Sequence, residues 1–487
     1  MTSTAKTTLA GIAACLVLAC APLTTEREVE LGRGAAQQVE VEMGLVRDPG
    51  RVGYVQALGG RLAALSPRKD LSYDFNIVDM AEANAFALPG GHIYVSRGLL
   101  ALSNSEEELA NVVGHEIGHV AARHHAQQQA RAQQVGVLSA LGTLAAAVLA
   151  GPDAAQGIGQ LGQLAGASFL ASYSRDQERE ADEIGQTLAA NGGWNPAGMA
   201  AFLATLERET TLELGHARYP SFLDTHPATP ERVQSARARA KSLPRAPGAP
   251  IARDRAAFLA KLDGLVVDED PAAGLFDGQV FRQPDLDFRV VFPEGWKTVN
   301  SASAVGAVAP DQSAMMQLTI QAKGSDPHAA AQAFVAKEKI PVVKHGAVSI
   351  GALRGYQVRV KQASQQGEVG ALFTWIAHGG QVYRVECVAA EARFDDRVAP
   401  LCERTTESFR PLSAADRDAI RERVLRIAAA RPGESLAALS ARTGNVWSPE
   451  KTAAVNGLES PARPPADGLT KIAVEVPYRP GTRSRAP

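Results

Sequence analysis

At 487 residues the chain is too long for one hydrophobic core, so two to four domains are expected. Its 50 Lys and Arg residues nearly balance 52 Asp and Glu, with no dense basic run, which argues against nucleic acid as a partner. No CxxC pair occurs, which argues against a cysteine-held zinc site.

In chain order, Lys6 precedes the apolar run Leu9–Cys20, the length of a signal-peptide core and too short to span a bilayer. It ends Val17-Leu18-Ala19-Cys20, similar to a lipobox, so residues 1–20 read as a lipoprotein signal peptide with Cys20 as the lipidated residue. Ile12-Ala13-Ala14-Cys15 is the alternative box, and a cleaved signal without lipid is the plainer one. Export permits Cys387 and Cys402 to pair; two buried thiols are the alternative.

Helical periodicity runs from Glu26 to Val46 and stops before Asp48-Pro49-Gly50, and a second helix reaches Leu65. Tyr73, Phe75 and Ile77 alternate with polar residues, as in a strand with one buried face, and His92–Ser96 is a second short strand. Ser105 and Glu108 form a capping-box pattern that opens a long helix through Val112, Val113, Ile117 and Val120. Val135–Gly151 is weakly apolar and rich in Ala and Gly, which favours a packed helix or lid over a membrane span. Another helix covers Asp176–Ala190. Lys241–Pro250 holds three prolines and reads as a linker.

The chemistry concentrates in His115-Glu116-Ile117-Gly118-His119. Residues four apart on a helix share a face, so both imidazoles reach one zinc ion, and Glu116 beside them takes a proton from the attacking water. A third protein ligand is required, and two candidates compete. His125 has the spacing of the metzincin motif, but Ala122 stands where that motif has glycine, nothing in the sequence breaks the helix there, and His125 falls off the metal face. The other is the run Ser174-Arg175-Asp176-Gln177-Glu178-Arg179-Glu180-Ala181-Asp182, where Glu178 and Asp182 share a helix face. Glu178 would ligate, Asp182 would hold a ligating imidazole by its other nitrogen, and Glu180 would point to solvent. Spacing alone leaves this beside the ordinary reading of a solvated charge run.

Taken together, Asn84-Ala85-Phe86-Ala87-Leu88-Pro89-Gly90-Gly91, the HEIGH motif, His124, the Ser174–Asp182 run and Thr225-His226-Pro227 resemble the BepA/LoiP/HtpX-type zinc metallopeptidases, relatives of the CAAX-processing endopeptidases. The resemblance covers about Glu26–Arg239 with its motifs in the family's order. It implies a gluzincin-like fold, endoproteolysis, and one zinc ion per chain held by His115, His119 and Glu178. It also implies that Asn84 and the strand with His92, Ile93 and Tyr94 form the edge onto which an extended substrate adds. His226 is similar to a family histidine that fills the open metal position or aids the transition state, and His124 reads as structural.

Beyond the linker, strand-like runs occur at Phe288–Phe292, Met315–Ile320, Tyr356–Val360, Phe373–Ile376 and Val382–Val388, with a helix near Ala329–Lys337. With Phe292-Pro293-Glu294-Gly295-Trp296 they loosely resemble PsbP/Mog-type α+β domains. Arg431-Pro432-Gly433-Glu434-Ser435-Leu436, Leu439, Asn456-Gly457-Leu458 and Gly468 resemble a LysM domain, a βααβ fold that often binds N-acetylglucosamine glycans, although Val446-Trp447-Ser448 departs from its spacing.

The expected architecture is therefore α+β and multidomain. A mainly helical metallopeptidase domain with a small sheet spans 26–243, a linker and connecting helix 244–275, an α+β module 276–412, and a LysM-like domain 424–476. The expected role is a periplasmic zinc endopeptidase, lipid-anchored to the outer membrane, with unfolded or misassembled envelope proteins and peptidoglycan as the expected partners. An assembly factor with a gated protease site and a peptidoglycan-binding scaffold are the alternatives.

Overall fold

The computed structural model describes residues 24–128, 173–212, 222–226, 230–301, 303–364 and 367–481. Cys15 and Cys20, the Val135–Gly151 stretch, and Pro220, Ser221 and Pro227 lie outside them. Among the described residues no helix is long and apolar enough to cross a membrane. They form two compact units. One comprises the chain to Glu40, Leu45–Val267 and Val424–Val474; the other comprises Asp268–Arg423 with Val41–Gly44 and the chain from Glu475.

The first unit is helical around a three-stranded sheet of β1 (Asp74–Val78), β2 (Ala85–Leu88) and β3 (His92–Ser96), in the order β1-β3-β2. β3 pairs in parallel with β1 and antiparallel with β2. Phe75 and Ile77 are buried, as their alternation requires. β2 had no alternation to betray it, because all four of its residues are buried.

The HEIGH helix, Glu106–Ala121, is buried from Leu109 to Val120. Ser105 caps it by accepting the Glu108 amide at 3.2 Å, but Glu108 accepts the Asn104 amide at 2.8 Å, so the expected capping box is only half made. Against it lies the helix Arg175–Asn191, whose capping box of Ser174 and Gln177 is complete. Glycine lets the two backbones approach. A Cβ on Gly114 would lie 2.8 Å from the Gly185 carbonyl oxygen, one on Gly118 2.8 Å from that of Ala181, and one on Gly185 2.6 Å from the His115 nitrogen.

The expected linker is bolted down. Glu106, at the start of the HEIGH helix, accepts from the Tyr54 hydroxyl at 2.8 Å, the Trp194 indole at 2.7 Å, the Ile251 amide at 2.6 Å and the Ala252 amide. Prolines announce a break in secondary structure, not a loss of packing, so the unit continues past residue 243 to Val267. Phe258 and Leu259, on the helix Arg255–Leu262, belong to its core.

The C-terminal module has the expected βααβ order: strand Arg421–Ala429, helices Leu436–Thr443 and Pro449–Val455, and strand Leu469–Pro477, with the two strands paired. It is not a separate domain. Val424–Val474 falls within the first unit, and Trp447, Val455 and Ala473 join that core. Lys471, fully buried, donates to the carbonyls of Ala101, Leu102 and Ser103 at 2.8, 2.8 and 2.9 Å, at the C-terminal end of the helix Arg97–Leu102.

The second unit holds an antiparallel seven-stranded sheet within Lys297–Ala390 and a four-stranded sheet. The helix Pro327–Glu338 packs on the larger sheet, near the expected position. Cys387, on the strand Gln381–Ala390, forms a disulfide with Cys402, on the helix Ala399–Glu407.

Candidate metal centre

The helix Glu106–Ala121 presents His115 and His119 toward the helix Arg175–Asn191, which presents Glu178 and Asp182 one turn apart. A third segment brings His226. The Phe222 amide donates to the Ala83 carbonyl at 2.9 Å, the short helix Phe222–Thr225 follows, and the Phe222 ring stacks on His226 at 4.3 Å.

Donor atoms of His115, His119, Glu178 and His226 all lie within 4.8 Å of one another, and all four residues are buried. His115 Nε2 is 2.9 Å from His119 Nε2 and 3.2 Å from His226 Nδ1. Glu178 Oε1 is 3.4 Å from His119 Nε2 and 2.9 Å from His226 Nδ1. Tetrahedral zinc with nitrogen and oxygen ligands separates its donors by about 3.3 Å, so the spacing suits it.

The charge fits as well. Glu116, Glu178 and Asp182 are three buried carboxyls against one guanidinium, Arg232, a balance a divalent cation would complete. Burial raises Glu178, but His226, His119 and His115 outweigh it and hold the carboxyl well below its ordinary value. Burial holds His119 well below its ordinary value, in the neutral form that a ligand requires. Against the same burial, Asp182, Glu178 and Glu116 hold His115 above its ordinary value, a sign of how strongly the pocket favours positive charge.

Asp182 stands where the motif predicts, its Oδ1 2.9 Å from His115 Nδ1. Arg232 is the residue sequence reasoning missed. It opens the helix Pro230–Ser242, places Nε and Nη2 on Asp182 at 2.9 and 2.8 Å, and sets Nη1 2.6 Å from Glu178 Oε2. One guanidinium thus fixes both the carboxylate expected to ligate and the one that orients a ligand. Nη1 also donates to the His226 carbonyl at 3.3 Å.

Glu116 is fully buried, and neither carboxyl oxygen has a hydrogen-bond partner among the described residues. Burial raises it above the ordinary carboxyl range, and the positive charge of His226 and then His115 partly offsets this. His226 Nε2 lies 3.6 Å from its Oε1. Glu116 therefore sits beside the four-donor cluster, on a helix that packs against β2.

The strand assignment for substrate needs correction. His92, Ile93 and Tyr94 lie on β3, which has a strand on either side and offers no free edge. His92 Nδ1 is 2.6 Å from Asp74 Oδ1, and Ile93 and Tyr94 are buried. The edge is β2, which among the described residues pairs only with β3. The Ser96 amide donates to the Asn84 carbonyl, so antiparallel alternation turns the amides and carbonyls of Ala85 and Ala87 away from β3. Asn84 stands at the start of this edge.

His125 is not among the donors; its Nε2 lies 2.7 Å from the Tyr173 hydroxyl. The Tyr173 ring stacks on His119 at 3.8 Å. The helix does break where none was expected: it ends at Ala121, and Arg123 takes a left-handed φ of 58°.

Residues 49–240 match the model of peptidase family M48. The chain is 32% identical over 226 residues to the beta-barrel assembly-enhancing protease of Yersinia pestis, covering 46% of each chain. It is 35% identical over 170 residues to metalloprotease LoiP of Escherichia coli (strain K12), covering 34% of this chain and 62% of that one. The chain thus spans about half the length of the first of these relatives. The solution structure of cyanobacterial PsbP from Synechocystis sp. PCC 6803 is 13% identical, covers 28% of this chain and 95% of that one, and has a TM-score of 0.24, at which the likeness carries no argument. The HEIGH helix, the Glu178 helix and the family match over the same residues agree: the chain carries a peptidase M48 domain.

Proposed function

We propose that the protein is a zinc endopeptidase, and the observation that carries this is the buried cluster of His115, His119, Glu178 and His226 with Glu116 beside it. His115, His119 and Glu178 would hold the ion. Zinc, when bound, supplies Lewis-acid polarisation of a carbonyl and makes water acidic enough to attack near neutral pH. Glu116, raised by burial, accepts the proton of the attacking water and returns it to the departing amine. An unfolded segment adds as a strand to the outer edge of β2, pairing with Ala85 and Ala87 and bringing its scissile bond beside Glu116. Only an extended chain can make that pairing, which supports unfolded or misassembled envelope proteins as substrates. A lipid on Cys20 would hold the enzyme to the outer membrane from the periplasmic side, near peptidoglycan.

One observation favours a gated variant of this reading. His226 Nδ1 lies 3.2 Å from His115 Nε2 and 2.9 Å from Glu178 Oε1, where a fourth ligand would stand. With His226 there the water's place is taken, so the resting protein is shut until the Phe222–His226 segment withdraws.

Glu116→Gln tests the proposal. It should retain stoichiometric zinc and lose cleavage of an unfolded protein such as casein, because the base is removed and the ligands are kept. Cleavage at the parent rate would overturn the assigned chemistry.

A further inference from the structure

The HEIGH helix ends with a fold-back that the ligand set does not require. After Ala121 the chain turns at Ala122, Arg123 adopts φ 58°, and the backbone is helical again from His124. A left-handed conformation is uncommon for a residue with a β-carbon and marks a place where geometry is imposed. Its result is that His124, fully buried, returns beneath His119, with its Nδ1 2.8 Å from His119 Nδ1. The other nitrogen, His124 Nε2, lies 3.3 Å from Glu180 Oε2, whose side chain is 57% exposed.

Two imidazole nitrogens 2.8 Å apart share one proton, so one donates and the other accepts. Which one donates follows from the roles of the remaining nitrogens. His119 directs Nε2 into the donor cluster, where a ligand must offer a bare lone pair, so its proton sits on Nδ1. His124 Nδ1 then accepts, its proton sits on Nε2, and that N–H donates to Glu180. Every donor in the chain Glu180–His124–His119 has one acceptor, and each ring is neutral. The arrangement parallels Asp182 on His115, with an imidazole interposed because Glu180 lies on the outer side of its helix.

We infer that His124 is a positioning residue that fixes the tautomer and ring orientation of His119, and that Glu180 in turn sets the tautomer of His124. The inference rests on the metal reading of the cluster. The fold-back would have no such purpose if His124 only filled space: an apolar residue would fill it, without needing Glu180 at its far nitrogen.

Full-length protein, stripped of metal and titrated with zinc against a chelator of known affinity, provides the test. His124→Leu removes the acceptor and should weaken zinc binding by about 10–100-fold, whereas His124→Gln, which keeps an acceptor, should recover most of the loss. Glu180→Gln should cost less than His124→Leu. A second readout needs no variant: in zinc-loaded protein with nitrogen-labelled histidine, His119 should carry its proton on Nδ1, with coupling across the hydrogen bond to His124 Nδ1. Equal zinc affinity in the parent and both His124 variants would overturn the inference and leave the metal reading standing. A bare Nδ1 on His119 would do the same, even if His124→Leu did not fold. A parent that binds no zinc would overturn the metal reading, and this inference with it.

Discussion

His226 Nδ1 lies 2.9 Å from Glu178 Oε1 and 3.2 Å from His115 Nε2, a ligand's distance from two residues expected to hold metal. If His226 closes the site, His226→Ala should raise initial cleavage of unfolded substrate by several-fold with zinc content unchanged. If it instead stabilises the charge developing on the scissile carbonyl, the same variant should be slower. Rates at matched zinc occupancy separate the two, and a clear fall would remove the gate.

Arg232 balances two buried carboxylates at once, Asp182 at 2.8 Å and Glu178 at 2.6 Å. Arg232→Leu takes from both their guanidinium partner, leaving only the histidines against two buried carboxylates, and should destabilise the zinc-free protein by about 3 kcal/mol. Zinc supplies positive charge to the same cluster, so the deficit should shrink when zinc is present. Thermal melts of variant and parent, with and without zinc, measure it; a deficit unchanged by zinc would show that Arg232 and the ion act independently.

The helix contact at Gly185 yields a sharper geometric test. A Cβ there would lie 2.6 Å from the His115 backbone nitrogen, which the HEIGH helix can relieve only by moving away. Gly185→Ala should cost about 1–3 kcal/mol and weaken zinc binding, because Glu178 and Asp182 retreat with their helix. Gly34, on an exposed helical face with nothing within 4 Å of its would-be Cβ, is the control. Gly34→Ala should stabilise by about 0.5–1 kcal/mol and leave zinc binding alone.

Lys471 ties the C-terminal module to the end of the helix Arg97–Leu102, just before the HEIGH helix begins. Its amine donates to the carbonyls of Ala101, Leu102 and Ser103, three acceptors for the three N–H bonds of an ammonium. Burial pushes the amine down, and Glu108 on the HEIGH helix pulls it back toward the charged form. Lys471→Met strands those carbonyls and leaves Glu108 without a buried cation, so a loss on the order of 3 kcal/mol is expected. Differential scanning calorimetry should show it in the transition of the first unit; an unchanged transition would mean that the module is merely appended.

What the sequence made legible here is local. HEIGH places two imidazoles on one helix face, and a one-turn spacing puts Glu178 and Asp182 on a shared face, with their roles implied by the family resemblance. β2 escaped notice because Ala85–Leu88 is buried throughout and so lacks alternation, and the active-site edge was then assigned to β3. Arg232 could not be recognised because both its partners lie about 50 residues away across a helix pair. The break at Arg123 was hidden because no glycine announces it. The packing of Trp447, Val455 and Ala473 into the first unit depends on contacts hundreds of residues apart, which motif spacing does not encode. One signal was readable and unused: Gly114 and Gly118 recur four apart, as do Ala181 and Gly185, small-residue pairs suited to a close helix contact.

The central claim, that Glu178 completes a zinc site with His115 and His119, is tested most directly by counting metal. Parent, Glu178→Ala and Glu180→Ala proteins would be loaded with zinc, passed through gel filtration and analysed for metal per chain. The parent and Glu180→Ala should each carry one zinc ion at protein concentrations well above the dissociation constant, and Glu178→Ala should carry almost none. A Glu178→Ala protein that retains its zinc while Glu180→Ala loses it would contradict the account and move the ligand to Glu180.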